Sequence, residues 1–379
     1  MYSIWERNSF STYDHIIIGG GIVGLSTAYY IKKNFPSDSI LLLERGILPT
    51  GASTKNAGFA CMGSATELLD DLSHSTEEEV LELFLLRKKG LERLRGLLGD
   101  ANIGYEANGS YELLFEEDLP AIEQLEYLNN FLFKELQTTA FTVTNQKIKS
   151  FQFNDRKVKA LLENTCEGEI DTGRMMKSLL QLVSSCGVEI KTGCEVISFN
   201  ENPDRVEVVC RNPVNNTEFI FNAKSLSICN NAFASTLLKE YDVVPGRGQV
   251  LITKPVDGLA FKGIFHFNQG YYYFREYRGC VLFGGGRNLD KETETTTSFE
   301  LNTHIQEDLV AKLKEIILPS HSFEIDLQWT GIMAFGESKR PIVKQHGTRV
   351  FLGVRMGGMG VAIGSETGFR LAEMIYQET

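Results

Sequence analysis

Residues 14–30, DHIIIGGGIVGLSTAYY, limit what this chain can fold into more than any other stretch. Ile16, Ile17 and Ile18 form a continuous apolar run, the pattern of a parallel strand buried on both faces, and Gly19, Gly20, Gly21 and Gly24 follow at once in G-x-G-x-x-G spacing. A helix begins there. Gly19 permits the tight turn, Gly21 leaves no side chain between backbone and a pyrophosphate, and Gly24 lets helix and strand pack closely. Free N–H groups at the helix start then face the phosphates. In a chain with 35 glycines such spacing also arises as an ordinary turn. The next apolar run, Ile40–Leu43, decides between the two. It ends in Glu44, placed after Gly24 where an acidic side chain accepts hydrogen bonds from adenosine ribose hydroxyls. The unit predicts dinucleotide binding.

Composition narrows the rest. A chain of 379 residues holds two domains or one with a large insertion. With 38 basic and 49 acidic residues the formal charge is −11, which argues against broad binding to nucleic acid or an anionic membrane. The seven cysteines, Cys61, Cys166, Cys186, Cys194, Cys210, Cys229 and Cys280, show no C-x-x-C spacing and suggest reduced thiols rather than a disulfide framework or zinc site. The opening residues carry charges without an apolar core, and no apolar run is long enough to span a bilayer. The expected location is therefore the cytoplasm, without stable membrane insertion.

In chain order, residues 1–13 read as a polar lead-in with Trp5 packed against the body. Residues 51–60, GASTKNAGFA, are small and polar, suited to close backbone approach to a ligand. Residues 73–98 are helical, with Ser75 and Glu78 in capping-box spacing, and a second helix starts near Asp118 and Pro120. With the strand candidate at residues 110–115 these helices look like part of a separate lobe. Residues 170–190 read as a helix capped by Asp171 or Thr172, stopped by Gly187 and followed by a strand. Residues 243–328 are rich in β-branched and aromatic residues and predict a mixed sheet with one helix at residues 304–318. A strand at Val350–Val354, a glycine-rich turn and a closing helix end the chain.

Taken together these pieces resemble the D-amino-acid oxidase-like superfamily of flavoproteins, which includes glycine oxidase, sarcosine oxidase and γ-glutamylputrescine oxidase. The matching segments are GGGIVGLSTA, Glu44, GASTKNAGF, IDTGRMMKSLL, AKSLSICNNAF, PGRGQVLIT, WTGIMAFGESKRPIV and RVFLGVRMGGMGVAIGSETGFRLAEMI, in order over nearly the full length. The resemblance implies an α/β fold: a discontinuous Rossmann-like FAD-binding domain from residues 1–72, 148–235 and 325–379. A second α+β substrate domain, built on an antiparallel or mixed sheet, would take residues 73–147 and 236–324.

It also implies the site. Gly19, Gly21, Ile22, Val23 and Gly24 would hold the pyrophosphate, and Glu44 with Arg45 the adenosine side. Ala52, Ser53, Asn56, Ala57, Gly58 and Phe59 would lie along the cofactor, Val196 and Asn230 beside it. Met356, Gly357, Gly358, Met359, Gly360 and Val361 would meet the pyrimidine edge of the flavin, where helix-start N–H groups stabilise negative charge.

Departures from the family pattern shape the remaining expectations. Glycine oxidase carries an arginine for the substrate carboxylate where this chain has Met333, so Arg355 and Arg275 are candidate replacements and Tyr272 a candidate aromatic over the flavin. The cysteine that follows the W-x-G segment in sarcosine oxidase is absent, which implies noncovalent FAD. His266, His304, His321 and His346 show no metal or triad spacing, and no metal is expected. The implied reaction oxidises a C–N bond of an amino acid or amine by hydride transfer to flavin N5, with oxygen or another acceptor taking the electrons. A 2-hydroxy acid substrate, a nicotinamide dehydrogenase and a non-catalytic flavin-binding protein are the alternatives; acidic charge disfavours a tRNA-modifying oxidase.

Overall fold

Strand Thr12–Ile18 runs through the interior of an eight-stranded sheet, and its Ile16 and Ile17 are wholly buried. The computed structural model describes residues 3–212 and 216–378. In it this strand pairs in parallel with Ile40–Leu43 on one side and Glu218–Ile228 on the other. Glu189–Lys191 continues the sheet beyond Ile40–Leu43, and Val350–Val354 lies beside Glu218–Ile228. The last strand of the chain thus comes within two places of the first. Its following turn is delivered to the carboxyl ends of the parallel strands, where open α/β sheets bind ligands.

Helix Ile22–Asn34 shares one apolar cluster with Thr172–Ser185, Glu77–Leu98 and Gly360–Glu378. Helix Glu77–Leu98 therefore does not belong to a separate lobe, as its sequence suggested. It lies on the C-terminal helix, and Gly90 comes so near that a Cβ there would sit 1.9 Å from the Ala362 carbonyl oxygen. Its capping box is Thr76 with Glu79, one residue later than expected, because the sequence STEEE offers two boxes of equal spacing. Asp171 caps the helix Thr172–Ser185 as read.

The second sheet also has eight strands, in the order Ile325–Phe335, Val244–Thr253, Cys280–Gly285, Tyr272–Tyr277, Ile264–Phe267, Ser110–Leu114, Ala160–Asn164 and Phe141–Val143. All neighbours are antiparallel except Ile264–Phe267 with Ser110–Leu114. Two strands assigned from sequence to the first domain, Ala160–Asn164 and Ile325–Phe335, lie in this sheet instead, so the boundaries at residues 148 and 325 fall inside the second unit. Hydrogen bonding along the full length of Val244–Thr253 holds Ile325–Phe335 there. One sheet face buries Phe265, Phe267, Phe274 and Phe283 with Ile305, Leu309 and Leu313 of the helix Thr303–Lys312 and the π-turn after it.

Trp5 is a further correction: it sits on a short helix, Ile4–Ser9, with no buried residue, and is 74% exposed. All seven cysteines are unpaired. Among the described residues no helix is long and apolar enough to cross a membrane.

Candidate active site

A cavity of about 860 Å³ is lined by residues of both sheets. Gly19, Gly21, Ile22 and Val23 line it where the helix Ile22–Asn34 begins. Gly24 stays outside: a Cβ there would sit 2.0 Å from the Gly19 carbonyl oxygen, so its role is the close packing of turn on helix. Glu44 is buried, its two carboxylate oxygens accepting from the backbone N–H groups of Gly20 at 2.9 Å and Gly46 at 2.8 Å. The acid thus stiffens the glycine turn while lining the cavity beside it. Arg45 stacks over Phe233, its guanidinium 3.6 Å from the ring centre, and Val196 and Arg211 complete that end.

Residues 51–59 form the side wall. Ser53 accepts the Ile22 backbone N–H at 3.0 Å, Asn56 Oδ1 accepts from Gly58 N–H, and Ala52, Asn56, Ala57 and Phe59 also face the cavity. Gly58 does not; its φ of +77° turns the chain, and a Cβ there would strike the Ile170 carbonyl oxygen. Asn230 lines the cavity with a buried Oδ1 that has no hydrogen-bond partner.

Met356, Gly357, Gly358, Met359, Gly360 and Val361 line the same cavity from the far end of the chain, just where the helix Gly360–Glu378 starts. The Gly357 N–H donates to the Ala334 carbonyl at 3.0 Å, which ties this turn to the second sheet. Gly357 and Gly358 have φ of +56° and +83°, the left-handed region where glycine costs nothing.

The three residues expected from sequence to act on substrate are placed elsewhere. Tyr272 points into the phenylalanine core, stacked on Phe267 at 4.8 Å with its hydroxyl donating to Asp308 at 2.8 Å. Strand alternation sends Tyr273 to the cavity instead, and Tyr271 at the strand's edge lines it too. Arg275 is buried under the side wall, donating to the carbonyls of Ile170 at 2.8 Å and Gly58 at 3.1 Å and pairing with Glu169 at 3.4 Å. Arg355 donates to Asp242 Oδ2 at 2.8 Å and to the Arg340 carbonyl at 3.0 Å, outside the cavity lining. Both arginines brace loops; their anions, Glu169 and Asp242, lie more than a hundred residues away and leave no local trace.

The wall opposite the glycine turn adds His266, Tyr273 and Arg287, to which sequence reading gave no role. Phe59 meets His266 and Tyr273 edge to face at 5.1 and 5.6 Å. Burial pushes the His266 imidazole down to about 4 and the Tyr273 phenol up to about 12, so both are neutral near pH 7. Met333 faces the cavity between Gly248 and Gly358. Arg287 lines it as well, its guanidinium 4.0 Å from the centre of the Phe335 ring. The run GGGR was the available signal: glycines at a strand end leave room for one long cationic side chain. Glu67, also in the lining, pairs with Arg87 at 3.2 Å and Lys339 at 3.4 Å.

A glycine turn at a helix start, an acid at the next strand end, and a second glycine turn facing an aromatic wall across one cavity define a dinucleotide-dependent oxidoreductase fold. The chain belongs to the DAO family of FAD-dependent oxidoreductases, whose family model matches residues 14–374. A segment of 100 residues is 33% identical to sarcosine oxidase subunit beta of Arthrobacter sp., and the match spans 24% of each chain. Solved structures with the same fold include glycine oxidase from Geobacillus kaustophilus, at TM-score 0.77 and 17% identity over 97% of this chain and 95% of that one. Iminodiacetate oxidase from Chelativorans sp. BNC1 matches at TM-score 0.75 and 19% identity over 96% of both chains. L-Proline dehydrogenase from P. horikoshii matches at 0.75 and 16%, over 96% and 93%.

The residues present suit FAD. Gly19 and Gly21 put no side chain at the helix start, Asn230 Oδ1 is an orphaned acceptor, and the cavity lining reaches from Val196 and Arg211 to the turn at residues 356–360.

Proposed function

We propose that this protein binds FAD noncovalently and oxidises a C–N bond of an amino acid or amine to an imine, which water hydrolyses. The observation carrying this reading is that two glycine turns from opposite ends of the chain, at residues 19–24 and 356–360, line one cavity with Phe59, His266 and Tyr273 across from them. FAD, when bound, would supply the hydride acceptor, with oxygen or another acceptor as the final oxidant. Gly19, Gly21, Ile22 and Val23 would hold the pyrophosphate, and Glu44 and Arg45 the adenosine. Backbone N–H groups at the start of the helix Gly360–Glu378 would offer positive partial charge to the flavin edge.

The chain's own contribution to the reaction is position and dryness. Phe59 and Tyr273 exclude water, which strengthens every electrostatic contact inside the cavity. Neutral His266 sets no positive charge against an incoming amine. A neutral amine is the hydride-donating form, so orientation and the amine's own proton balance do the work otherwise given to a base. Cys61, Cys194 and Cys229 reach the cavity, but burial raises all three thiols, Cys229 up to about 12, and a protonated thiol is a poor partner for covalent flavin attachment.

Anaerobic titration of the FAD-loaded protein with amino acids, polyamines and 2-hydroxy acids tests this function. Bleaching of oxidised flavin by an amino acid or amine is expected. Bleaching by hydroxy acids alone, or a protein that takes up no FAD, contradicts it.

A further inference from the structure

Arg287 is a cation without an anion. Its Nε is buried and has no hydrogen-bond partner, and among the described residues its guanidinium forms no ion pair. The neighbouring carboxylate is already taken: Glu294 receives Arg247 Nε at 2.9 Å and Nη2 at 2.7 Å, Gln249 at 2.9 Å and Asn302 at 2.9 Å. Burial lowers the Arg287 pKa against a smaller opposing pull from Tyr271 and Glu294, the sign expected for a charge removed from water and repaid only in part. A guanidinium kept in such a place costs free energy that folding alone does not recover.

The surroundings hold it in position. The Phe335 ring lies 4.0 Å from its guanidinium, and a Cβ at Gly246 would come within 2.4 Å of that ring and 2.9 Å of Nε, so only glycine leaves room for the pair. Gly246 is paired directly across the sheet with Met333, and Phe335 is the next residue on the same strand face as Met333. The guanidinium fork is thus delivered beside an apolar side chain at the cavity wall, opposite the turn at residues 356–360. We infer that Arg287 anchors an anionic end of the substrate, a carboxylate held by the guanidinium fork, so that the amine substrate is an amino acid rather than a simple amine or polyamine. This deepens the function proposed above and rests on it for the word amine; the anion site itself rests on Arg287 alone.

The test compares benzoate with its neutral isostere benzamide on FAD-loaded wild-type, Arg287→Met and Arg287→Lys proteins, following perturbation of the flavin spectrum. Wild type should prefer benzoate, Arg287→Met should lose about 10- to 100-fold in benzoate affinity with benzamide unchanged, and Arg287→Lys, a point charge without the fork, should fall between. Equal benzoate affinity in all three, or no benzoate preference in wild type, overturns the anchor. Weakened FAD binding by a folded Arg287→Met whose FAD-saturated form keeps its benzoate preference assigns the arginine to the cofactor and also overturns it. If Arg287→Met does not fold, Arg287→Lys decides: an undiminished benzoate preference overturns the anchor and a reduced one supports it. A wild type that selects benzoate through Arg287 yet is reduced by no amino acid leaves the anchor standing and removes the C–N reaction.

Discussion

Asn231 Oδ1 accepts the backbone N–H groups of Arg355 at 3.0 Å and Met356 at 3.4 Å, fastening the turn at residues 356–360 to the segment that follows the strand Glu218–Ile228. Asn231 and Arg355 both have positive φ, 49° and 68°, so two non-glycine residues hold a left-handed backbone on either side of this bond. Asn231→Ala is expected to lose about 2 kcal/mol of stability and to weaken FAD binding, because two donors lose their acceptor and alanine tolerates this φ poorly. Asn231→Gly relieves the backbone and isolates the hydrogen bonds. Urea denaturation with parallel FAD titration measures both; unaltered FAD affinity in either variant would show that the turn needs no such fastening.

Arg355 is a brace, with Asp242 as its partner. Arg355→Gln is expected to cost about 1–2 kcal/mol, the lower range because Asp242 is 40% exposed and screened by solvent. The benzoate preference of the FAD-loaded protein should not change. A variant of normal stability that loses that preference would return Arg355 to the role its sequence position suggested.

At Gly90 two helices meet with no room for a side chain. Gly90→Val should destabilise by roughly 2–3 kcal/mol, as overpacking does. The displaced residue, Ala362, lines the cavity, so FAD affinity should fall together with the melting temperature. Gly96, on the same helix with open space around it, is the control: Gly96→Ala should be neutral or stabilising.

The glycine turn was legible because its constraints are local: Gly19 needs φ of +107°, and Gly24 must clear a carbonyl five residues earlier. The strand ending in Glu44 was legible for the same reason. Strand alternation told that the tyrosines at 271–273 split between two faces, but not which face meets the cavity, since that depends on which side the phenylalanine core takes. Arginines were the least legible. Arg275 and Arg355 find partners more than a hundred residues away, whereas Arg287 is notable for having none, and a missing partner writes nothing into sequence. Domain boundaries failed where long strands of the second sheet interrupt segments that otherwise read as nucleotide-binding.

Glu112 and Glu167 make stability depend on pH. Both are buried, Glu112 accepting from Thr66 and Glu167 from the N–H of Met62 at 2.5 Å and Gly63 at 3.2 Å, and burial pushes each up to about 7 from 4.5. Between those values the folded protein holds protons that the unfolded chain releases, so stability falls as pH rises through the window, by up to about 3 kcal/mol per group. His266 has the opposite sign: burial lowers it from 6.5 to about 4, and its contribution grows as pH climbs between the two. Relative to wild type, Glu112→Gln should therefore gain stability as pH rises from about 5 to about 7.5. Denaturation curves whose separation is the same at both values contradict this.

Amide hydrogen exchange with and without FAD is the most direct measurement. One equivalent of FAD should slow exchange together at Ile22 and Val23 and at residues 357–361, since a single molecule would bridge the first crossover and the last turn. Protection confined to the first segment, with the second exchanging as it does without FAD, would contradict the account.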